Sequence, residues 1–351
     1  MTMKTQSISS YMLANSTRNI LAKAQADLIK AKEESTTGFV SDTGLALGSR
    51  TGQSISLRKE FDRLTVLTET NNLIGQRMTT SQNALGNMVK GATDFLGTVT
   101  ALRGSSDGHS VALDKAKSGL QTMTGLANTN YNGEYVFAGV NTDVQPMDDY
   151  YAAGSPARAA IQTAFQTQFG FPMTDPQVKN ITADQMKTFL DTTMTAQFSA
   201  GSWSSNWSSA SDTVVKSRIA PTELAETSVS ANNAGFRQMA LSYTMVAELS
   251  NIGLNQGAFD AVMDKAISTT TQAVTSLTGA QAFLGDAQAR TKDATDRLTV
   301  QIKVLNSSVL DLEAVDPYEA ANRVNALSNQ IQASYALTVK LQSLSLLNYL
   351  K

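Results

Sequence analysis

The chain has 351 residues, a formal net charge of −2 and no cysteine. The near-neutral balance excludes a nucleic-acid binder that depends on a Lys/Arg excess, and the missing thiols exclude disulfides and thiolate metal sites. Hydrophobic residues make up 42% of the sequence, enough for a packed core, which excludes wholesale disorder.

The first residues, MTMKTQSISSYMLANSTRN, contain one lysine but no continuous apolar stretch followed by a small-residue cleavage site. No cleaved signal peptide is expected, and export would need another route. No apolar run is long enough to span a bilayer, so membrane insertion is not expected either.

Ala14, Leu21, Ala24, Leu28 and Ala31 form a narrow stripe that predicts a first helix over about 1–35. Gly38, Gly44, Gly48 and Gly52 then predict an irregular linker over 34–52. A heptad seam follows through Leu57, Leu64, Leu67, Ile74, Met78, Leu85, Met88, Ala92, Phe95, Val99 and Leu102, interrupted by Glu60, Asn71 and Ser81. It predicts a helix over about 55–103, with Gly75, Gly86, Gly91 and Gly97 inside it. His109, the only histidine, reads as a solvated residue in a turn between helices. Leu113, Ala116, Leu120, Met123 and Ala127 form the next stripe.

The middle of the chain differs. Five of the six prolines lie between Pro146 and Pro221, together with both tryptophans, Trp203 and Trp207. Asn132-Gly133 is a turn pair, and Glu134–Gly139 after it reads as a strand. Asp212–Ile219 and Glu223–Val229 are further strand candidates, and Thr182–Phe198 has helical spacing. Trp203 and Trp207 read as anchors of a small core rather than a sugar-stacking pair. Asp148-Asp149 reads as a solvated turn, because a calcium loop needs oxygen ligands at alternate positions over about twelve residues.

The pattern returns in Met263, Ala266, Ala273, Leu277, Ala280, Leu284, Ala287, Ala294, Leu298, Leu305 and Leu312, with Thr270, Thr291, Gln301 and Ser308 at the remaining seam positions. It predicts a helix over about 256–314. Asp316-Pro317 breaks it, since the residue before proline avoids helical dihedrals. A last helix over 318–351 carries Val324, Leu327 and Ile331, then Leu337, Leu341, Leu344 and Leu347.

At ~1.5 Å per residue the two long helices would measure roughly 70 and 90 Å. A compact globule of this length is only about 50 Å across. The expected fold is therefore mainly α: an elongated antiparallel helical bundle or coiled coil built from the N- and C-terminal segments, with a small α+β inserted domain. The expected domains are 1–45 with 315–351, 46–140 with 235–314, and the insert 141–234. No Ser-His-Asp arrangement, P-loop or GxGxxG before a helix is recognisable, so neither catalysis nor a cofactor is expected. The terminal stripes cannot be buried by their own helices and predict coupled folding and assembly.

On these residues the sequence resembles the flagellin family. Glu34-Ser35-Thr36-Thr37-Gly38 is similar to the family's Ser-Thr-Gly element after the first helix, and Leu57–Leu102 to its long helix. Phe39-Val40 replaces the usual basic residue, and Ser41-Asp42-Thr43 replaces an Asp-Asp-Pro loop. Asn132–Gly139 resembles the Gly-x-Tyr-x-Phe-Ala-Gly segment of the hook–filament junction branch, a hook-associated protein, more than that of filament flagellin. A soluble coiled-coil signalling or adhesin module is the alternative from another class. The resemblance implies an extracellular structural component of the flagellum, assembled with its own copies as a ring. Its implied partners are the first hook-associated protein, flagellin and a flagellar export chaperone, with export unfolded through the type III apparatus. The assembly and chaperone interface is expected at Leu21, Leu28, Leu337, Leu341, Leu344 and Leu347.

Overall fold

The computed structural model describes residues 10–105 and 108–349; the side chains of residues 10, 11, 13, 14 and 341–349 lie outside that description. In chain order the helices begin with α1 (Ser10–Thr37), α2 (Thr43–Leu47), α3 (Thr51–Leu102) and α4 (His109–Ala127). A two-residue hairpin, β1 (Asn130–Tyr131) and β2 (Glu134–Tyr135), leads into α5 (Pro156–Phe169), α6 (Ala183–Phe189) and α7 (Ala200–Asn206). A second hairpin, β3 (Lys216–Ala220) and β4 (Glu223–Glu226), precedes α8 (Ala234–Leu249), α9 (Gln256–Glu313) and α10 (Pro317–Tyr349). The chain separates into two compact units, 67–298 and 1–66 with 299–351. The fold is mainly α, as the seams require.

Within 67–298, α3 and α9 run antiparallel. Gln82 Nε2 donates to Gln281 O at 2.7 Å, and Gln288 Nε2 to Thr79 Oγ1 at 3.1 Å. The seam residues Met78, Leu85, Met88, Phe95 and Val99 of α3 are buried, as are Met263, Ala273, Leu277 and Leu284 of α9. The polar interruptions are buried as well, and each finds a partner. Ser81, Thr270 and Thr291 donate to the carbonyl four residues back, at 3.1, 2.7 and 2.7 Å. Asn71 Nδ2 donates to Ile219 O at 2.8 Å and Thr295 Oγ1 at 3.1 Å, tying β3 to both long helices. A hydroxyl or amide with a partner can sit in a seam without the full desolvation cost.

The sequence reading passed over α8. Twelve of its sixteen residues are buried, from Gly235 to Leu249, so its polar face shrinks to Arg237, Gln238 and Glu248. It packs on α4, joins α9 through Ser242 Oγ and Thr270 Oγ1 at 2.6 Å, and meets the insert through Arg158 and Glu248 at 3.3 Å. Tyr243 of α8 reaches α3, its ring centroid 4.6 Å from that of Phe95. Its ring lies so close to α4 that a Cβ on Gly119 would sit 2.7 Å from Tyr243 Cζ.

Three further expectations need correction. His109 is not a solvated loop residue: it opens α4 half-buried, with Nδ1 2.7 Å from Ser250 O and the ring stacked on Phe259 at 3.8 Å. The linker over 34–52 is not irregular throughout, because α1 runs to Thr37 and α2 is capped by Asp42 accepting from Leu45 N at 2.9 Å. Glu134–Gly139 is strand only at Glu134–Tyr135. Val136, Phe137 and Ala138 are fully buried, and their carbonyls and amides bind scattered partners. Val136 N donates to Thr129 O at 3.0 Å, Ala231 N to Phe137 O at 2.8 Å and Ser211 N to Ala138 O at 2.9 Å. Gly139 closes the segment at φ 65°, where a Cβ would lie 2.5 Å from Ser211 O, so glycine alone fits.

The insert holds α5 to α7 and the β3–β4 hairpin. Its centre is a stack of Tyr150, Trp207 and Trp203, with centroids 5.1 and 5.4 Å apart and planes within 13° and 11°. All three rings are buried, which settles the tryptophans as core anchors. Asp149 Oδ1 accepts from Tyr151 N at 2.9 Å in an exposed turn beside them. One continuous buried cluster runs from Trp203 and Phe189 through Phe236 to Leu85 and Leu277.

Replacing Gly119 by Ala forces Tyr243 off its seat. Overpacking of this kind costs about 1–3 kcal/mol, and thermal unfolding followed by circular dichroism should show a lowered midpoint. Gly125→Ala, with nothing within 4 Å of the added Cβ, should leave the midpoint unchanged or raise it.

Candidate functional site

In the unit formed by 1–66 and 299–351, α1 and α10 pack against each other as an antiparallel pair. Gln25 Nε2 donates to Tyr335 Oη at 2.8 Å, and Arg323 Nη1 pairs with Glu34 at 3.0 Å. These two contacts bring Leu28 near the level of Ile331. Ala24 and Ala31 of α1 and Ala320 and Ile331 of α10 are buried between the helices. Alanine at the seam lets backbones approach but removes little apolar area from water.

Two helices offer each other one face only. Leu21, Leu28, Val324 and Leu327 are half-buried. A fully buried leucine stabilises by about 1.5–3 kcal/mol, so each of these retains apolar surface that a further neighbour could cover. Leu337 is 52% exposed and Ile29 69% exposed. Among the six predicted interface residues, Leu21 and Leu28 therefore lie at the pair's seam and Leu337 lies in water. Leu341, Leu344 and Leu347 belong to α10, but their side chains lie outside the described residues.

The sequence reading missed Ile20, Ile29 and Val339, which are exposed on the outer faces of the pair. Their signal was present: large aliphatic residues off the heptad seam. Among the described residues no group of three His, Cys, Asp or Glu side chains could hold a metal, and no helix is long and apolar enough to cross a membrane. The chemistry available at the terminal pair is the burial of apolar surface against another helix.

Residues 8–142 match the bacterial flagellin N-terminal helical region, and residues 267–350 match the bacterial flagellin C-terminal helical region. The two matches span more than half of the chain. The chain belongs to the bacterial flagellin family. None of the curated proteins matches it individually. The flagellin matches enclose α1 to β2, most of α9, and α10, and leave α5 to α8 outside them. Membership makes this chain a structural component of the flagellum, exported and self-assembling.

Ile29→Asp separates folding from assembly. The site is exposed, so the monomer's stability should change by no more than about 0.5 kcal/mol. Incorporation into flagella, read by immunogold labelling of isolated organelles, should fall sharply if α1 meets a neighbour there. Ala31→Asp should instead damage the monomer itself, seen as lost helical signal, because it places a charge in the buried seam.

Proposed function

We propose that this chain is the flagellin-family subunit of the hook–filament junction, held by the first hook-associated protein on one side and by flagellin on the other. The segment Asn132–Gly139 carries the reading. Its sequence resembles the junction branch of the family more than filament flagellin. Its geometry gives the resemblance physical content. Val136 to Gly139 are buried, and the backbone of Phe137, Ala138 and Val140 bonds residues 231, 211 and 213, in the segments that precede α8 and β3.

The assembly interface in this reading is Leu21, Leu28, Leu337, Leu341, Leu344 and Leu347. A helix-in-groove partner reads apolar anchors spaced by three and four residues, and the last four of these have that spacing. Before secretion the partner is an export chaperone; afterwards it is the terminal helices of neighbouring subunits.

Fractionation tests the position. Filaments are removed from purified flagella by mild heating, and the remaining hook–basal bodies are probed with an antibody to this chain. Recovery in the hook fraction at a small fixed ratio to hook protein is expected. Recovery in bulk with the depolymerised filament would make the chain filament flagellin instead.

The double variant Leu341→Asp, Leu344→Asp tests the interface. Buried charges without counter-ions are costly, so the junction should fail while hooks still form. Flagellin should then appear in the medium as monomer. Normal filaments on such cells would overturn the assignment, and absent filaments without secreted flagellin would show a general export defect.

A further inference from the structure

The joint between the terminal pair and the long helices contains the one fully buried charged residue among those described, Glu313. It is the last residue of α9. Its backbone carbonyl accepts from Val40 N at 2.9 Å, and two residues on Val315 N donates to Gly38 O at 2.9 Å. The linker after α1 and the linker before α10 are thereby stitched as a short antiparallel bridge at Phe39 and Ala314. The Glu313 side chain turns the other way, into the first turns of α3. Arg58 Nε lies 3.0 Å from each carboxylate oxygen, and Arg58 Nη2 and Ser54 Oγ also donate to it. The same guanidinium faces the Phe39 ring, 5.7 Å from its centroid. One residue thus joins α9, α3 and both linkers.

An apolar side chain would fill this position at a lower desolvation cost. A carboxylate adds direction and a dependence on charge. We propose that Glu313 is an ionisation-dependent latch: while charged, it holds the two linkers crossed over the start of α3, and on protonation it lets them separate.

The surrounding charges leave the latch to Arg58. On α3, Asp62 acts on Arg58, keeping it firmly cationic together with Glu313 itself. In the linkers, Asp42 caps Leu45 N and Asp316 caps Tyr318 N, at 2.9 and 2.8 Å. Between α1 and α10, Glu34 is paired with Arg323. Arg58 hydrogen bonding holds the Glu313 carboxyl below its ordinary value of 4.5, against desolvation and with help from Ser54. A group with a lowered folded value contributes stability that is complete above its unfolded value. The latch is therefore closed at neutral pH, weakens only below about 4.5, and opens as the pH falls through the lower folded value.

Hydrogen exchange read by mass spectrometry on the full chain tests this, using peptides over 36–46 and 309–318 with α8 peptides as an internal reference. Protection factors are compared at pH 6 and in steps down to about pH 2, because the lowered value of Glu313 sets where the change falls. Wild-type protection at Val40 and Val315 should drop roughly tenfold or more over that range relative to α8, the scale of a charge-assisted hydrogen bond. Glu313→Gln should exchange at pH 6 as fast as wild type does at the lowest pH, and respond little to pH. Should Glu313→Gln lose helical signal, Arg58→Gln at its half-exposed position gives the same comparison. Wild-type protection that stays level with α8 over the whole range, or wild-type protection at pH 6 in whichever variant folds, would overturn the proposal.

Discussion

The seam between α3 and α9 within residues 67–298 is the interaction on which the rest of that unit depends. It brings together side chains some 200 residues apart in sequence, as the Gln82–Gln281 and Thr79–Gln288 hydrogen bonds record. Closing so long a loop costs conformational entropy, but the cost grows only slowly with length, to about 5 kcal/mol for ~200 residues, and the buried leucine, methionine and phenylalanine side chains of the seam exceed it. The closed seam then seats the other elements. α8 packs against α4 and α9 and reaches α3 through Tyr243, and the insert then packs on α8. The insert is for this reason part of the closure, since its aromatic stack belongs to the same buried cluster as the seam.

What the sequence disclosed follows this hierarchy. Leu85, Met88, Leu277 and Leu284 were readable because a two-sided helix leaves a period. Asp316-Pro317 was readable because proline restricts its neighbour, and α10 starts at Pro317. Asn132-Gly133 was readable as a turn, and both residues have positive φ, 52° and 85°. The limits are equally physical. α8 is buried on nearly every side and keeps only Arg237, Gln238 and Glu248 as a polar face, with Ser242, Tyr243 and Thr244 buried among its apolar residues. Val136–Gly139 is rich in strand formers, yet it is held by hydrogen bonds to three separate segments, which tertiary placement alone decides. His109 was read from its local glycines and serines; its partners, Phe259 and Ser250, are more than 140 positions away.

The terminal pair was legible to a different degree. Its seam residues Ala24, Ala31 and Ile331 are buried as the stripes required, while Leu21, Leu28 and Leu327 are covered only in part. The outward residues Ile29 and Val339 lay outside any heptad count. A periodicity search finds the face that a helix turns to its first partner. It is silent about the face kept for a second.

The distance in sequence between α1 and α10 has a consequence in time. Gln25 meets Tyr335 across 310 positions. A ribosome adds about 5–20 residues per second, so the partner of α1 is synthesised roughly 15–60 s after α1 itself. During that interval the N-terminal stripe has emerged and has no native surface to pack on. The order of the chain thus delays the terminal pair until α10 has been made, and leaves a defined interval in which a holding factor can compete for α1.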